Sequence, residues 1–361
     1  MKYYIVFVFI IIFSFNLFSQ HNENNETENN NHEEEFNATE VIMHHIADVH
    51  DWHLWTITDK ETGEEHHITI PLPIILYYNG NIDIFLSSKF HHGEKAVVKD
   101  DRVYIIHHEK IYMANKQNTL DFDEEQNVTN IMPMDFSITK NVAAMMFASL
   151  LILFIFISVA KSYKKRPGRP KGLQSFMEPL IIFIRDDIAI PNIGEKKYKK
   201  FAPYLLTVFF FILFNNLLGL VPFIPGGANV TGNIAVTLTL AFITLIITNI
   251  SGNKRYWGHV FATPGVPIWL LPIMIPVELI GIIAKAFALM IRLFANITAG
   301  HIVVLSLISL IFIFKTVWMS PVSILFVLFM YCLEILVAFL QAYIFTLLSG
   351  LFIGMAVQEQ H

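Results

Sequence analysis

Residues 269–314 decide the fold of this chain: WLLPIMIPVELIGIIAKAFALMIRLFANITAGHIVVLSLISLIFIF. The stretch is almost continuously apolar and is broken only by Pro272, Pro276 and a few polar residues. A helix that crosses a bilayer upright needs about 20 apolar residues, so this one is about twice too long. We therefore predict a membrane helix that is strongly tilted, bent or partly interfacial. Residues 322–357 form a second overlong apolar run.

The composition is typical of a membrane protein. Of the 361 residues 54% are hydrophobic, and the mean hydropathy is +0.51, which is too apolar for an ordinary soluble domain. The net charge is −5, and basic residues cluster only in residues 161–172 and 195–200, so nucleic acid is not an expected partner. A single cysteine, Cys332, excludes a disulfide framework and a thiolate metal cage. We expect no cofactor and no metal.

Further helices precede the long ones. Residues 141–160 are uncharged and long enough to span, and the basic run 161–172 follows them, so the positive-inside rule puts that end in the cytoplasm. Spans are also predicted at about 203–221 and 234–250, and residues 173–194 predict an interfacial helix. The sequence thus predicts an all-α protein of the cell inner membrane with about five transmembrane or steeply tilted helices. Its C-terminus is expected in the cytoplasm.

The N-terminal third is expected outside, in the periplasm. Residues 1–20 have the layout of a signal peptide, with a retained anchor helix as the alternative. Residues 21–40 are acidic and of low complexity. Residues 41–135 predict a small β-rich extracytoplasmic domain, with strands in residues 66–78, 81–90 and 101–113 and a hairpin at Asn79-Gly80. Residues 136–361 are assigned to the membrane domain.

Histidines are concentrated in this exported part. Twelve of the fifteen histidines precede Asn118, and the segment HHIADVHDWH, residues 44–53, combines them with Asp48 and Asp51. Zinc binding is one interpretation, because histidine tracts can bind this metal. Adjacent histidines in a strand point to opposite faces, however, so each pair offers one ligand per face. A soluble, histidine-rich surface is therefore favoured over a metal site.

Polar residues inside the long apolar runs are functional candidates, because a charge at bilayer depth costs at least about 2.5 kcal/mol. They are Glu278, Lys285, Arg292, Asn296, His301, Glu334 and Gln341. Glu278, Lys285 and Arg292 recur every seven residues and so share one helix face, whereas His301 points almost to the opposite side. Glu334 and Gln341 are also seven apart.

Structural alternatives remain open for each candidate. Glu278 and Lys285 would also suit a solvated interfacial pair, and Lys285 can snorkel. His301 would suit a hydrogen-bonded core histidine, and Gln341 a helix–helix contact. For Arg292, which stays protonated, the alternative is a salt bridge to Glu334.

The residues MIRLFANITAGH, 290–301, resemble the signature of subunit a of F-type ATP synthases, the stator part of the proton channel. The resemblance continues through FFFILFNNLLGLVPFIPGGANVTGNIAVTLTLAF, residues 209–242, and LEILVAFLQAYIFTLLSGLFIGMA, residues 333–356. FSITKNVAAM, residues 136–145, and FIRDDIAIPNIG, residues 183–194, resemble the entry segments. The resemblance covers residues 136–357, and the exported extension is similar to the form in Bacteroidetes-type bacteria.

The resemblance implies roles for individual positions. Arg292 matches the arginine that faces the carboxylate of the rotating ring of c subunits. Asn296 matches a polar residue one turn later, and Gln341 a glutamine that approaches the arginine. Glu278 matches an acidic residue toward the cytoplasmic half-channel, and Asn216 a polar position on the second span.

His301 and Glu334 differ from the common pattern. Well-studied members carry an acid at the first position and a histidine at the second, so the two are exchanged here. If the pair touches across the helices, the exchange keeps the same proton-relay chemistry. Gly219 stands where some members have an aspartate, which puts a carboxylate contribution from that helix in doubt.

As a whole, the resemblance implies a non-catalytic subunit of the membrane Fo sector that couples proton translocation to ring rotation and ATP synthesis. Its partners would be the c ring, the b-subunit stalk, the F1 sector and the lipid membrane, and protons are expected rather than Na⁺. A free-standing ion transporter is the alternative. It would need its own complete carboxylate site or inverted repeats, and no internal repeat is visible in the sequence.

Overall fold

The computed structural model describes residues 42, 46–58, 65–93, 95–115, 117–165, 170–221, 226–262, 267–314 and 319–357. The predicted signal peptide, the acidic segment and the His44-His45 pair lie outside these residues.

Among the described residues, five helices are long and apolar enough to cross a membrane. They are α1 (Lys140–Lys165), α4 (Tyr198–Gly219), α5 (Ile234–Ser251), α7 (Leu271–Ile313) and α8 (Met319–Val357). The last two have 43 and 39 residues. Pro272 lies in the first turn of α7, where proline is tolerated, so it starts this helix and does not interrupt it. The predicted helical membrane architecture, with two overlong helices at the end, is confirmed.

A short segment between α1 and α4 corresponds to the predicted interfacial helix. It consists of α2 (Leu173–Phe183), a π-helical turn (Ile184–Ala189) and α3 (Ile190–Ile193). Ile184 and Ile188 are buried, whereas Arg185 and Asp186 are exposed and pair at 2.7 Å. The segment ends at Gly194, whose φ of 93° is the left-handed conformation that ends many helices. A further short helix, α6 (Lys254–Phe261), follows α5.

The interior of the bundle lies between α4, α7 and α8. Phe209, Phe210 and Ile212 of α4 are fully buried, together with Leu289 of α7 and Ala342 of α8. Phe209 and Phe210 stack edge to face at 5.2 Å, a favoured aromatic geometry. The burial of α4 explains why it carries apolar residues around its whole circumference.

The N-terminal domain is β-rich, as predicted. Strand β1 (Asp51–Thr58) pairs with β2 (Glu65–Pro71), and two three-stranded sheets have the orders β4-β3-β8 and β5-β6-β7. The remaining strands are β3 (Pro73–Tyr78), β4 (Asn81–Leu86), β5 (Val97–Lys99), β6 (Arg102–His107), β7 (Lys110–Met113) and β8 (Met134–Asp135). The core contains Ile74, Leu76, Phe85 and Tyr104.

The predicted hairpin at Asn79-Gly80 is confirmed. Both residues have positive φ, 47° and 85°, as the tight turn between β3 and β4 requires. The predicted strand 81–90 is wrong beyond Leu86. Ser87–Gly93 forms a 3₁₀ helix, because Ser87 turns the chain by exchanging two hydrogen bonds with the backbone of Leu72, including one from Leu72 N–H to its Oγ at 2.9 Å. Strand β1 was not predicted.

The N-terminal domain rests on one end of the helix bundle. Trp52 packs with Ala144 of α1 and with Ala228 and Val230, which precede α5. We call this the domain end of the bundle. At the far end, the Nζ of Lys197 donates a 2.7 Å hydrogen bond to the carbonyl of Val357, the last residue of α8.

Candidate functional site

A polar cavity of about 60 Å³ opens at the domain end between α4, α7 and α8. His301 of α7 and Glu334 of α8 both line it. Tyr331 and Asn229 add two further polar groups. A cavity of this volume has room for a few water molecules, which polar side chains could hold.

Two glycines allow His301 and Glu334 to enter this cavity. A Cβ built on Gly300 would stand 2.5 Å from Glu334 Oε1, so the carboxylate lies where any other residue would project. A Cβ on Gly219 would stand 3.0 Å from the carbonyl oxygen of Ala228 and 3.7 Å from His301 Nε2. The imidazole of His301 therefore lies within van der Waals distance of a side chain at position 219, and the carbonyl of Ala228 is the tighter neighbour.

Glu334 is buried, with 8% of its surface exposed. Its Oε2 has no hydrogen-bond partner among the described residues. A buried polar atom without a partner is costly, and such atoms are found at functional sites or where water binds. The free oxygen can accept a hydrogen bond from water in the cavity.

Arg292 lies on the outside of the bundle. Its side chain is exposed, as are those of Asn296 and Lys285 on the same helix face. Within the described part of the chain Arg292 has no carboxylate partner, so the alternative of a salt bridge to Glu334 is wrong. The surrounding surface is apolar, with Phe287 and Ile291 both exposed. A permanent cation on an apolar outer face calls for a counter-charge from another molecule.

A second, smaller cavity of about 20 Å³ lies toward the far end, and most of its lining is apolar. Lys285, Thr248 and Tyr256 line it, and Lys285 Nζ is 5.8 Å from the ring centre of Phe352. Tyr256 donates a 2.9 Å hydrogen bond to Asn249 Oδ1. Burial, and then the negative charge of Glu278, raises the pKa of Tyr256 above its usual range, so the half-buried Glu278 lies near this tyrosine.

Arg292 separates the two cavities along α7. It comes seven residues after Lys285 and nine before His301, distances of about 10 and 13 Å along a helix. The two cavities therefore lie on opposite sides of Arg292 along the bundle.

The other predicted residues are buried on neighbouring helices. Asn216 of α4 accepts a 2.5 Å hydrogen bond from Thr231, so it holds the chain between α4 and α5 in place. Gln341 is buried on α8, two helical turns after Glu334. Both support the arrangement of the helices around the cavities.

Two polar residues that line the cavity at the domain end were not predicted from the sequence. Tyr331 precedes Glu334 by three residues and so shares its helix face, a spacing that could have revealed it. Asn229 lies between α4 and α5, where no periodicity predicts a direction.

Residues 142–354 match the family described as ATP synthase A chain. This chain belongs to the ATP synthase A chain family. The ATP synthase subunit a of Chloroherpeton thalassium is 52% identical over 233 residues, which are 63% of this chain and 68% of that protein. The ATP synthase subunit a of Anaeromyxobacter sp. is 46% identical over 245 residues, 64% and 58% of the two chains.

The N-terminal domain also has a match of its own. Residues 41–136 match a domain of unknown function, DUF8433. The ATP synthase subunit a 2 of Chlorobium luteolum is 42% identical over 317 residues, 83% of this chain and 89% of that protein. Such a span is too long for the membrane helices alone, so this ATP synthase A chain family member shares part of its N-terminal domain with a relative.

The described residues of this family member hold no cluster of three or more metal-ligating side chains. In the segment proposed for zinc, His50 instead pairs through Nε2 with Asp135 Oδ2 at 2.8 Å. Burial acts to raise the pKa of Asp135, but hydrogen bonds from His50 and Ser137 outweigh it and leave that pKa below its usual range. The pair therefore ties the domain's entry segment to the strand before α1.

Proposed function

We propose that this chain is the stator subunit of the Fo sector of an ATP synthase and gives protons two half-channels that meet at Arg292. The observation that carries the proposal is the position of Arg292, exposed on the outer face and between two cavities at opposite ends, each of which has ionisable side chains in its lining. No bond is made or broken in this chain. ATP chemistry takes place in the F1 sector, which reaches the chain through the c ring and the b stalk.

The half-channel at the domain end runs through His301 and Glu334. Imidazole is the side chain whose ordinary pKa allows it to take up and release protons near neutral pH. A buried carboxylate with one free oxygen is a suitable partner for such transfer. The N-terminal domain would lie in the periplasm, in agreement with the basic run 161–172 at the far end of α1.

The half-channel at the far end runs past Glu278, Lys285 and Tyr256. These three groups are hydrophilic. They lie between the far end of the bundle and the level of Arg292. The far end would face the cytoplasm.

Arg292 controls whether the c-ring carboxylate is protonated. That carboxylate must be neutral while it crosses lipid, because its charged form is too costly there. A fixed cation opposite it favours proton release, and the same positive charge blocks a direct leak of protons from one half-channel to the other. A lysine could lose its own proton when buried and would be a poorer barrier. A membrane potential supplies about 2.3 kcal/mol per charge per 100 mV to drive rotation.

The test is Arg292→Ala in the assembled complex, reconstituted in vesicles. We expect ATP-driven acidification to be abolished while the c ring still co-purifies with the chain. Arg185→Ala is the matched control, because Arg185 is an exposed arginine on the interfacial segment paired only with its neighbour Asp186 in the described structure. Normal acidification by the Arg292 variant, with the control unchanged, would overturn the proposal. Equal rates with and without Na⁺ are expected if protons are the cargo.

A further inference from the structure

We propose that residues 46–52 of the N-terminal domain, here called the outer segment, form the outer wall of the His301–Glu334 cavity and restrict the entry of water and protons. The inference rests on the proposed proton function of that cavity. It gives a role to the domain of unknown function, which the ATP synthase A chain match does not cover. The N-terminal domain would then contribute directly to proton conduction.

The first observation is the position of Ile46. This residue lines the same cavity as His301 and Glu334, although it comes from the opposite end of the sequence. The rest of the lining comes from α4 and residues 226–233, through Gly219 and Asn229, and from further residues of α7 and α8, among them Val304, Leu305, Ile308 and Tyr331. An apolar side chain at the mouth of a polar cavity limits wetting, and hydrophobic constrictions control passage in channels in this way.

The second observation is the double contact of Asp48. Its Oδ1 accepts a hydrogen bond of 3.0 Å from the backbone N–H of Asn141, in the first turn of α1. Its Oδ2 accepts one of 3.1 Å from the side-chain amide of Asn233, whose Oδ1 caps α5 by accepting from Ala235 N–H. Helix N-termini carry partial positive charge, so a carboxylate is favoured there. One carboxylate of the N-terminal domain thus joins two membrane helices.

The third observation is how tightly the outer segment is held on either side of Asp48. The carbonyl of Val49 accepts a 2.9 Å hydrogen bond from Lys140 N–H, and His50 pairs with Asp135. Trp52 is only 8% exposed and packs against Ala228 and Val230. These residues flank Asn229, which lines the cavity. The segment therefore both contributes to the wall and holds the chain that completes it.

A purely anchoring role predicts something different at Ile46. If the segment only fixes the domain, the size of this side chain should leave proton movement unchanged, because the anchoring contacts belong to Asp48, Val49, His50 and Trp52. If the segment is the wall, a larger side chain at position 46 should fill the cavity mouth. The two roles can be separated by changing only the volume at this position.

The experiment measures passive proton flux, driven by an imposed potential, in vesicles that carry the complete Fo complex after removal of F1. The variants are Ile46→Ala, Ile46→Met, Ile46→Phe and Ile46→Trp. We expect flux to fall as the side chain grows, to about a tenth of the wild-type value for the largest assembled variant. Ile84→Trp is the matched control, because Ile84 is an exposed isoleucine of the same domain, and it should not change the flux. Co-purification of the c ring verifies assembly.

Each outcome bears on the proposal. Flux that does not depend on the size of residue 46 among assembled variants overturns it, and so does an equal loss in Ile84→Trp. If the Trp variant fails to assemble, the Met and Phe variants still give the size series. The variant His301→Ala, measured in the same vesicles, distinguishes a failure of the proposed function from a failure of this inference. Undiminished flux in His301→Ala contradicts the proposed function, whereas lost flux there with none of the expected change at residue 46 contradicts only this inference.

Discussion

Glu334 packs so closely on Gly300 that a Cβ at position 300 would stand 2.5 Å from the carboxylate oxygen Oε1. The contact joins α7 and α8 beside His301, the next residue in the chain. Since protein side chains do not approach this closely, the carboxylate can keep its position only while residue 300 is glycine. The position of the Glu334 carboxylate therefore depends on the missing side chain of Gly300 on the facing helix.

Replacement of Gly300 by alanine should displace Glu334 from the cavity. Because proton transfer depends on geometry, we expect Gly300→Ala to lower ATP-driven acidification by about tenfold to a hundredfold. Gly281→Ala is the matched control, since a Cβ on Gly281, also in α7, meets nothing within 4 Å. Acidification in reconstituted vesicles measures both. A Gly300→Ala complex that pumps as well as the Gly281→Ala complex would show that the carboxylate tolerates displacement.

The exchange of His301 and Glu334 relative to the common family pattern should be partly reversible. We expect His301→Glu alone to impair acidification, because it places two carboxylates in one small cavity. Adding Glu334→His restores one imidazole and one carboxylate, so the double variant should recover part of the lost rate. The four rates form a double-mutant cycle whose coupling reports contact. Losses that simply add would mean that the two side chains act independently.

Within the N-terminal domain, the link between His50 and Asp135 of strand β8 should weaken in acid. Because the pKa of Asp135 is lowered from 3.8 by its hydrogen bonds in the folded state, the ionised form stabilises the fold. This stabilisation is complete above pH 3.8 and is lost as the pH falls through the lowered pKa. Asp135→Asn should therefore lower the free energy of unfolding by about 1 kcal/mol at neutral pH, a modest value because the carboxylate is partly exposed.

The measurement for Asp135 is the urea midpoint for proteolysis within the N-terminal domain of the full-length chain. The difference between wild type and Asp135→Asn should vanish in strong acid. Asp101→Asn serves as the control, because Asp101 is exposed in the turn between β5 and β6. A difference that stays constant from neutral to strongly acidic pH would exclude the ionised pair as its source.

The number and kind of membrane helices followed from the sequence because the signal is local. A run of apolar residues as long as the bilayer is thick can be satisfied only by a helix. The cost of a charge in lipid singled out Arg292, His301 and Glu334 in the same way. In the N-terminal domain, Asn79-Gly80 predicted its hairpin because only a few residue types accept positive φ. Strand β1 was missed, since it is specified by its partner β2 and not by its own pattern.

By itself, then, the sequence determined which membrane helices form, roughly how long they are and which polar residues lie within them; the short helix α6 did not follow from it. Helical spacing also put Arg292 and His301 on different faces of α7. Only the tertiary structure decided which of these residues meet: that Glu334 lies on Gly300, that His301 fills the space beside Gly219, and that Ile46 lines their cavity. The physical reason is that apolar periodicity acts between near neighbours in the chain. A cavity, by contrast, is defined by packing between residues far apart in sequence, and the small residues that permit a close approach leave no pattern of their own.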